Sequence, residues 1–202
     1  GTIALGSGEL QRSRFLTQLI AAFQKENPLV SFRIYSGNSD NIKERIERGL
    51  LDIGLLQEPV DIAKYHFVRT PVQEQWGVLV RADAELAAKD RVSPADLAGL
   101  PLILPDRENV QNELLNWSGP LAEKLRITAT GNLLYNLASL ARDSGSCVLT
   151  LNLACHYDGL RFIPLAPELE SGTVLVWKKA QTFSPAVSAF IAYSKEYISG
   201  IV

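Results

Sequence analysis

Side chains able to do acid–base, nucleophilic or metal chemistry are few in this 202-residue chain: two histidines, His66 and His156, and two cysteines, Cys147 and Cys155. The histidines fall outside the turns that follow predicted strands, and neither Cys-x-x-Cys nor a His/Cys cluster with metal-ligand spacing occurs. No nucleophile, base and orienting partner form a set, and no carboxylate pair is marked by spacing. The expectation is therefore no enzyme, no metal and no cofactor. The two cysteines, eight apart on an apolar run, read as buried thiols acting as small hydrophobes, with a disulfide switch as the alternative.

Binding chemistry is better represented, in short polar turns that follow apolar runs. Ser7-Gly8 sits where a first strand meets a first helix, so its hydroxyl and nearby N–H groups can receive a carboxylate or another ligand oxygen; the plain alternative is an N-cap. Gly37, Asn38 and Ser39 form the corresponding turn after a second strand, a capping turn on the plain reading. Gln57, Glu58 and Pro59 follow a third strand, where a solvated loop suits Glu58 better than Gln57 because an acid repels anions. Further on, Pro105, Asp106 and Arg107 follow a strand, and Gly131-Asn132 precedes a helix. Arg107 can form a bidentate pair with a carboxylate, or only a surface contact.

The elements that must position these turns read as alternating strands and helices. Thr2 to Leu5, Val30 to Tyr35 and the run Leu51 to Leu56 are short strands, separated by helices carrying Leu16, Leu19, Ile20 and Phe23, then Ile42 and Ile46. Pro28 stops the first helix and Gly49 ends the second, whose Lys43–Glu47 and Glu44–Arg48 pairs solvate its outer faces. Such repetition builds a parallel sheet, whose ligands sit where turns leave the carboxyl ends of strands. A second unit begins with an extended stretch from Phe67 to Val80, interrupted by Pro71. Ser93-Pro94-Ala95-Asp96 starts a short helix, Leu102 to Pro105 is a strand, and Gly119-Pro120 must break the helix marked by Val110, Leu114 and Trp117. Ile127 to Thr130, a helix with Leu133, Leu137 and Leu140 inward, and Cys147 to Leu151 complete that series. The tail, with strands at Phe162 to Leu165 and Thr173 to Trp177 and a final helix striped by Val187, Phe190, Ile191, Ser194 and Ile198, returns to the first unit. Trp76, Trp117 and Trp177 read as core residues. The expected architecture is α/β: two Rossmann-like lobes joined by two crossover strands, with 1–70 plus 178–202 in lobe I and 71–177 in lobe II.

Composition agrees with an ordinary globular protein: 47% hydrophobic, 21% charged, net charge −2. Scattered basic residues do not make a nucleic-acid surface. No apolar stretch approaches the roughly 20 residues that cross a bilayer, and no signal peptide is visible. With no methionine at all, the sequence reads as a fragment, expected in the cytoplasm and away from membranes.

The order of elements and several strings resemble the effector-binding domain of LysR-type transcriptional regulators, over essentially the whole chain. Ile3-Ala4-Leu5-Gly6, Phe23-x-x-x-x-Pro28 and Ser36-Gly37-Asn38-Ser39 match, and Gly49-x-x-Asp52 with Ser93 to Leu104 are the more specific strings. Where the family usually places a Gly-x-Gly and a proline after the second-lobe strand, this chain has Thr150-Leu151-Asn152. The resemblance implies a fold like type 2 periplasmic binding proteins, an interlobe cleft for a small-molecule effector, and ligand-facing roles for Gly37, Asn38 and Ser39. It also implies a homodimer or tetramer, a backbone-organising role for Asp52, and DNA contact only through an N-terminal winged helix-turn-helix that these residues do not include. A solute-binding protein feeding a transporter shares the fold and is the alternative expectation.

Overall fold

A computed structural model of the chain describes residues 1–9 and 14–201, with Val72 described in its backbone only. In chain order the elements are β1 (Thr2–Ser7), α1 (Arg14–Glu26), β2 (Ser31–Ser36), α2 (Ser39–Glu47), β3 (Ile53–Gln57), β4 (Tyr65–Arg81), α3 (Pro94–Leu97), β5 (Pro101–Pro105), α4 (Glu108–Ser118), β6 (Arg126–Gly131), α5 (Leu134–Ser144), β7 (Cys147–Leu151), β8 (Leu160–Pro164), β9 (Glu170–Lys178) and α6 (Pro185–Ser199). They form two compact units, residues 1–73 with 172–202, and residues 74–171. The chain passes between units twice, inside β4 and inside β9.

In the first unit β1 lies between β2 and β3, parallel to both, and β9 runs antiparallel to β3. The sequence reading returns the chain to this unit near Lys178; the pairing begins earlier, with Thr173 opposite Gln57 and Trp177 opposite Ile53. The core follows from the apolar periodicity. Phe23 of α1 meets Phe190 of α6 edge-on at 5.2 Å, and Phe32 of β2 meets Phe190 at 5.0 Å. All five residues of the expected α6 stripe are buried. Ile42 and Ile46 of α2 pack on Ala4, Leu56 and Val176. Asp52 accepts the Ala4 N–H at 2.8 Å, organising backbone between β1 and β3.

The outer face of α2 differs from a simple solvated one. Glu44 and Arg48 form an exposed pair at 3.8 Å, but Glu47 accepts the Tyr65 hydroxyl at 2.7 Å and lies 3.3 Å from Lys178 Nζ. The hydrogen bond from Tyr65 and then the Lys178 contact hold the Glu47 carboxyl below the ordinary carboxylate range, against its partial desolvation. A carboxyl depressed by folding stabilises above its unfolded pKa and loses that contribution as pH falls through its folded value. Glu47→Gln is therefore expected to flatten the fall in stability between about pH 5 and pH 3, read as urea midpoints against pH; parallel curves for the two proteins would contradict it.

In the second unit β5 is parallel to β6 and to β7, while β4 is antiparallel to β7 and to β8. The strand at Leu160–Pro164 thus belongs here, paired with β4, and not with the returning tail. β4 continues through Pro71, where an interruption was expected. Ser93 and Asp96 make the capping box at α3, and Gly119 ends α4 with φ +57° ahead of a 3-10 turn over Gly119–Lys124. Two expectations fail. Helix α5 buries Leu134, Ala138 and Ala141, whereas Leu133 is its N-cap and Leu140 is 41% exposed. Leu134, Ala138 and Ala141 pack on Leu79, Ile103 and Val148, and Leu137, expected inward, is partly buried against the same cluster. Cys147 is buried, but Cys155 is exposed in the segment after β7, so only one of the two thiols is a core hydrophobe. Burial pushes the Cys147 thiol up to about 11, which keeps it a protonated, unreactive group at neutral pH.

Candidate functional site

Three parallel strands of the first unit end at one edge of its sheet, and the expected turn residues gather there. Ser7 closes β1 opposite Ser36, and the Gly37 N–H extends that ladder by one bond, donating to Ser7 O at 3.2 Å. Ser7 itself is buried and its hydroxyl donates to Gly8 O at 3.0 Å. The residues leading from Gly8 into α1 include 10–13, so the N-cap reading of Ser7 lies outside the described residues. Glycine is required at 37 because a Cβ there would stand 2.9 Å from the Tyr35 ring and 3.0 Å from Asn41 Cβ.

Asn38 caps α2: its side chain accepts the Asn41 N–H at 2.8 Å, and Asn41 returns the bond by accepting the Asn38 N–H at 3.0 Å. The capping alternative holds for this residue, whose oxygen serves the helix. Asn41 escaped the sequence reading, although an asparagine three residues beyond a candidate cap is the spacing that a reciprocal box needs. Ser39 does something less common. Its hydroxyl donates to Gln57 O at 3.1 Å and accepts the Gln57 N–H at 3.0 Å, so one buried side chain completes both backbone bonds at the end of β3. The first turn of α2 and the last residue of β3 are thereby joined. Gln57 is half-buried beyond the clamp with its Nε2 atom buried, whereas the neighbouring Glu58 takes a contact from Arg69 at 3.3 Å near the surface.

The second unit repeats the arrangement with different chemistry. Pro105 at the end of β5 is level with Gly131 at the end of β6, and the Asp106 N–H donates to Gly131 O at 3.0 Å. Gln111, from the first turns of α4, donates to Pro105 O at 2.7 Å and braces the turn; its side chain carried no sequence signal. Asp106 and Asn132 are exposed, and Gly131 is partly so. Arg107 is the N-cap of α4 by position, makes no side-chain cap, and is only 4% exposed. A guanidinium keeps its charge when buried and does so only in polar company. One neighbour is Glu113 of α4, whose carboxyl is pushed up by burial more than the Arg107 charge draws it down. Arg107 is therefore held inside the second unit and is not the surface contact of the plain reading.

The eleven expected residues thus form two groups, Ser7, Gly8, Gly37, Asn38, Ser39 and Gln57 in one unit and Pro105, Asp106, Arg107, Gly131 and Asn132 in the other, each at the carboxyl ends of parallel strands. Hydroxyls, backbone N–H groups and a guanidinium suit hydrogen bonding to the oxygens of a small polar molecule. Among the described residues no group of histidine, cysteine and acidic side chains could hold a metal ion, and no helix is long and apolar enough to cross a membrane.

Comparison with known proteins gives this arrangement a context. The family model described as the LysR substrate binding domain matches residues 1–199. An uncharacterized HTH-type transcriptional regulator of Bacillus subtilis (strain 168), YvbU, is 26% identical over 106 residues, which are 52% of this chain and 35% of YvbU; the match spans about a third of that relative's length. The effector binding domain of QuiR, solved in complex with shikimate, superposes with a TM-score of 0.83 at 17% identity, covering 99% of this chain and 98% of that one. The regulatory domain of Synechocystis PCC6803 CcmR, solved in complex with 2-PG, gives a TM-score of 0.78 at 12% identity over 100% and 99%. The α/β fold of the type 2 periplasmic-binding-protein kind, expected from the sequence, is that of these domains.

Proposed function

The chain belongs to the LysR substrate-binding domain family, and from that premise we propose that it senses a small organic acid for a transcriptional regulator. The effector is held by hydrogen bonds at the strand-end turns, with Arg107 pairing its carboxylate, and no bond is made or broken. Binding acts by differential affinity: the effector favours one conformation of the domain and so biases an attached winged helix-turn-helix, through which alone DNA is contacted. The regulator works in the cytoplasm as a homodimer or tetramer, matching paired half-sites on DNA.

The observation that carries the reading is the buried Arg107 beside the braced turn of Pro105 and Gly131, which supplies a fixed, dry-side cation at the carboxyl end of a parallel strand. The two hydrogen bonds between Ser39 and the Gln57 backbone fix a turn of the first unit in the same way, since preorganised turns lose less entropy when a ligand arrives. The family match favours the regulator over the transporter's solute-binding protein, and the small molecules bound by the QuiR and CcmR domains favour a metabolite as the signal.

A thermal-shift screen of small organic acids, shikimate and 2-PG among them, tests this. At least one acid is expected to raise the midpoint saturably, by several degrees at a hundredfold excess over Kd. Arg107→Gln is expected to abolish that rise, and Ser39→Ala, which leaves Gln57 without its hydroxyl partner, to cost about 1 kcal/mol of stability and weaken binding. A stabilising acid that acts equally on all three proteins would remove the site from these turns.

A further inference from the structure

The first unit contains a second place built to bind, remote in sequence from the turns after β1, β2 and β3. A shallow groove of about 390 Å³, open to solvent, lies between the end of β9, the start of β4 and α6, lined by His66, Trp177, Lys178, Phe183, Ile191 and Lys195 among others. Another of about 500 Å³ shares His66, Trp177 and Lys195 with it and adds Phe67 and Lys179. Both volumes fall in the range of small-molecule sites, roughly 300–1,000 Å³. None of the described residues lining either cavity is acidic.

The cations are not equivalent. Lys178 is engaged by Glu47 at 3.3 Å, and Lys179 Nζ donates to Ala63 O at 3.1 Å. Lys195 lies over the Trp177 ring, 5.2 Å from its centroid, with the His66 ring 6.3 Å from the same indole and inclined by 37°. Among the described residues no acid pairs with Lys195 within salt-bridge distance. An ammonium over an indole that is itself only 5% exposed, with the half-buried Phe183 and two exposed alanines beside it, has two complementary demands: an anion for the lysine and a flat apolar body for the accessible ring surface. Inorganic phosphate meets only the first and a neutral arene only the second.

We propose that this groove is a binding site for a small aromatic carboxylate, its ring against Phe183 and the accessible part of Trp177 and its carboxylate on Lys195, with His66 at the rim. The site lies wholly within the first unit and is independent of the effector reading given above. Occupancy would connect β4, β9 and α6 through one ligand.

The test uses 2-naphthoate as the probe and the indole N–H resonances of the intact 202-residue protein as the readout. The three tryptophans provide their own controls, because the Nε1 atoms of Trp76 and Trp117 donate to Ser171 and Pro167 in the second unit. The expected result is a saturable shift of the resonance that disappears in Trp177→Phe, with the other two unmoved. Lys195→Ala, at an exposed position that leaves the fold intact, is expected to weaken binding tenfold or more; Arg107→Gln is expected to leave it unchanged. Inorganic phosphate and 2-naphthalenemethanol are expected to give no saturable shift below millimolar concentration. No saturable shift with 2-naphthoate, equal binding of the neutral alcohol, full affinity in Lys195→Ala, or loss of binding in Arg107→Gln would each overturn the proposal.

Discussion

Gly77→Ala is expected to be among the most damaging single changes in the protein, with a loss of about 3 kcal/mol or more on urea denaturation. Gly77 lies in β4 opposite Thr150 of β7 and Pro164 of β8, so both of its flanks are occupied by neighbouring strands. A Cβ at this position would stand 2.3 Å from Phe162 Cζ and 2.4 Å from the Ile163 carbonyl oxygen. The ring could rotate away at some cost in packing, but the carbonyl belongs to the ladder and cannot move without breaking it. Relief must come from separating β8 from β4. The change is therefore expected to remove amide protection first along 160–164, measured by hydrogen exchange, and a Gly77→Ala protein with wild-type urea midpoint and exchange pattern would show that the strands are not packed as described.

Phe190→Ala should cost about 3–5 kcal/mol, the usual range for emptying a large aromatic site in a core. Phe190 is fully buried and meets two other rings edge-on, Phe23 at 5.2 Å and Phe32 at 5.0 Å, while Phe23 also meets Tyr193 at 5.4 Å. Removing the central ring leaves a void bounded by rigid groups from α1, β2 and α6, which cannot collapse together without dragging their helices. Phe190→Leu, which keeps most of the volume, is expected to lose less than half as much. A Phe190→Ala loss below about 1 kcal/mol would mean that the cluster contributes little beyond contact area.

Much of this architecture is legible from local patterns because those patterns coincide with what packing demands. The α6 stripe falls at helical spacing and all five of its residues, Ser194 included, are buried, so periodicity and burial agree residue by residue. The Ser93 to Asp96 helix start carries cap, proline and acid together, and all three are used. Helix α5 shows the limit. Of its expected leucines Leu137 does pack on the sheet of the second unit, but Leu140 is exposed, and the buried positions are Leu134 and the small Ala138 and Ala141, which a reading based on large apolar residues passes over. Residue size read alone misplaces part of the face.

The candidate site was readable to a similar depth. Strand ends and helix starts put Ser7, Gly37, Asn38, Pro105 and Gly131 at the turns where the structure has them. What each side chain does there depends on partners distant in sequence. That Ser39 would hold both backbone groups of Gln57, eighteen residues on, requires the parallel alignment of β1 with β3 and of β1 with β2, which no local string encodes. The burial of Arg107 likewise comes from the fold around α4; its charge alone left a carboxylate pair and a surface contact both open. The same reasoning explains Cys155, which sits on an apolar run yet follows the end of β7, where the sheet no longer covers it.

The division of the chain also sets an order of events during synthesis. Residues 74–171 form one uninterrupted unit, while the first unit needs the segments on both sides of it. During synthesis β1 to β3 emerge before β9 and α6, the strand that completes their sheet and the helix whose Phe190 fills their core, with the whole of the second unit made in between. The inserted unit can finish folding before the enclosing one does, so β1 to β3, with their apolar surface uncovered meanwhile, are the stretch most dependent on chaperones.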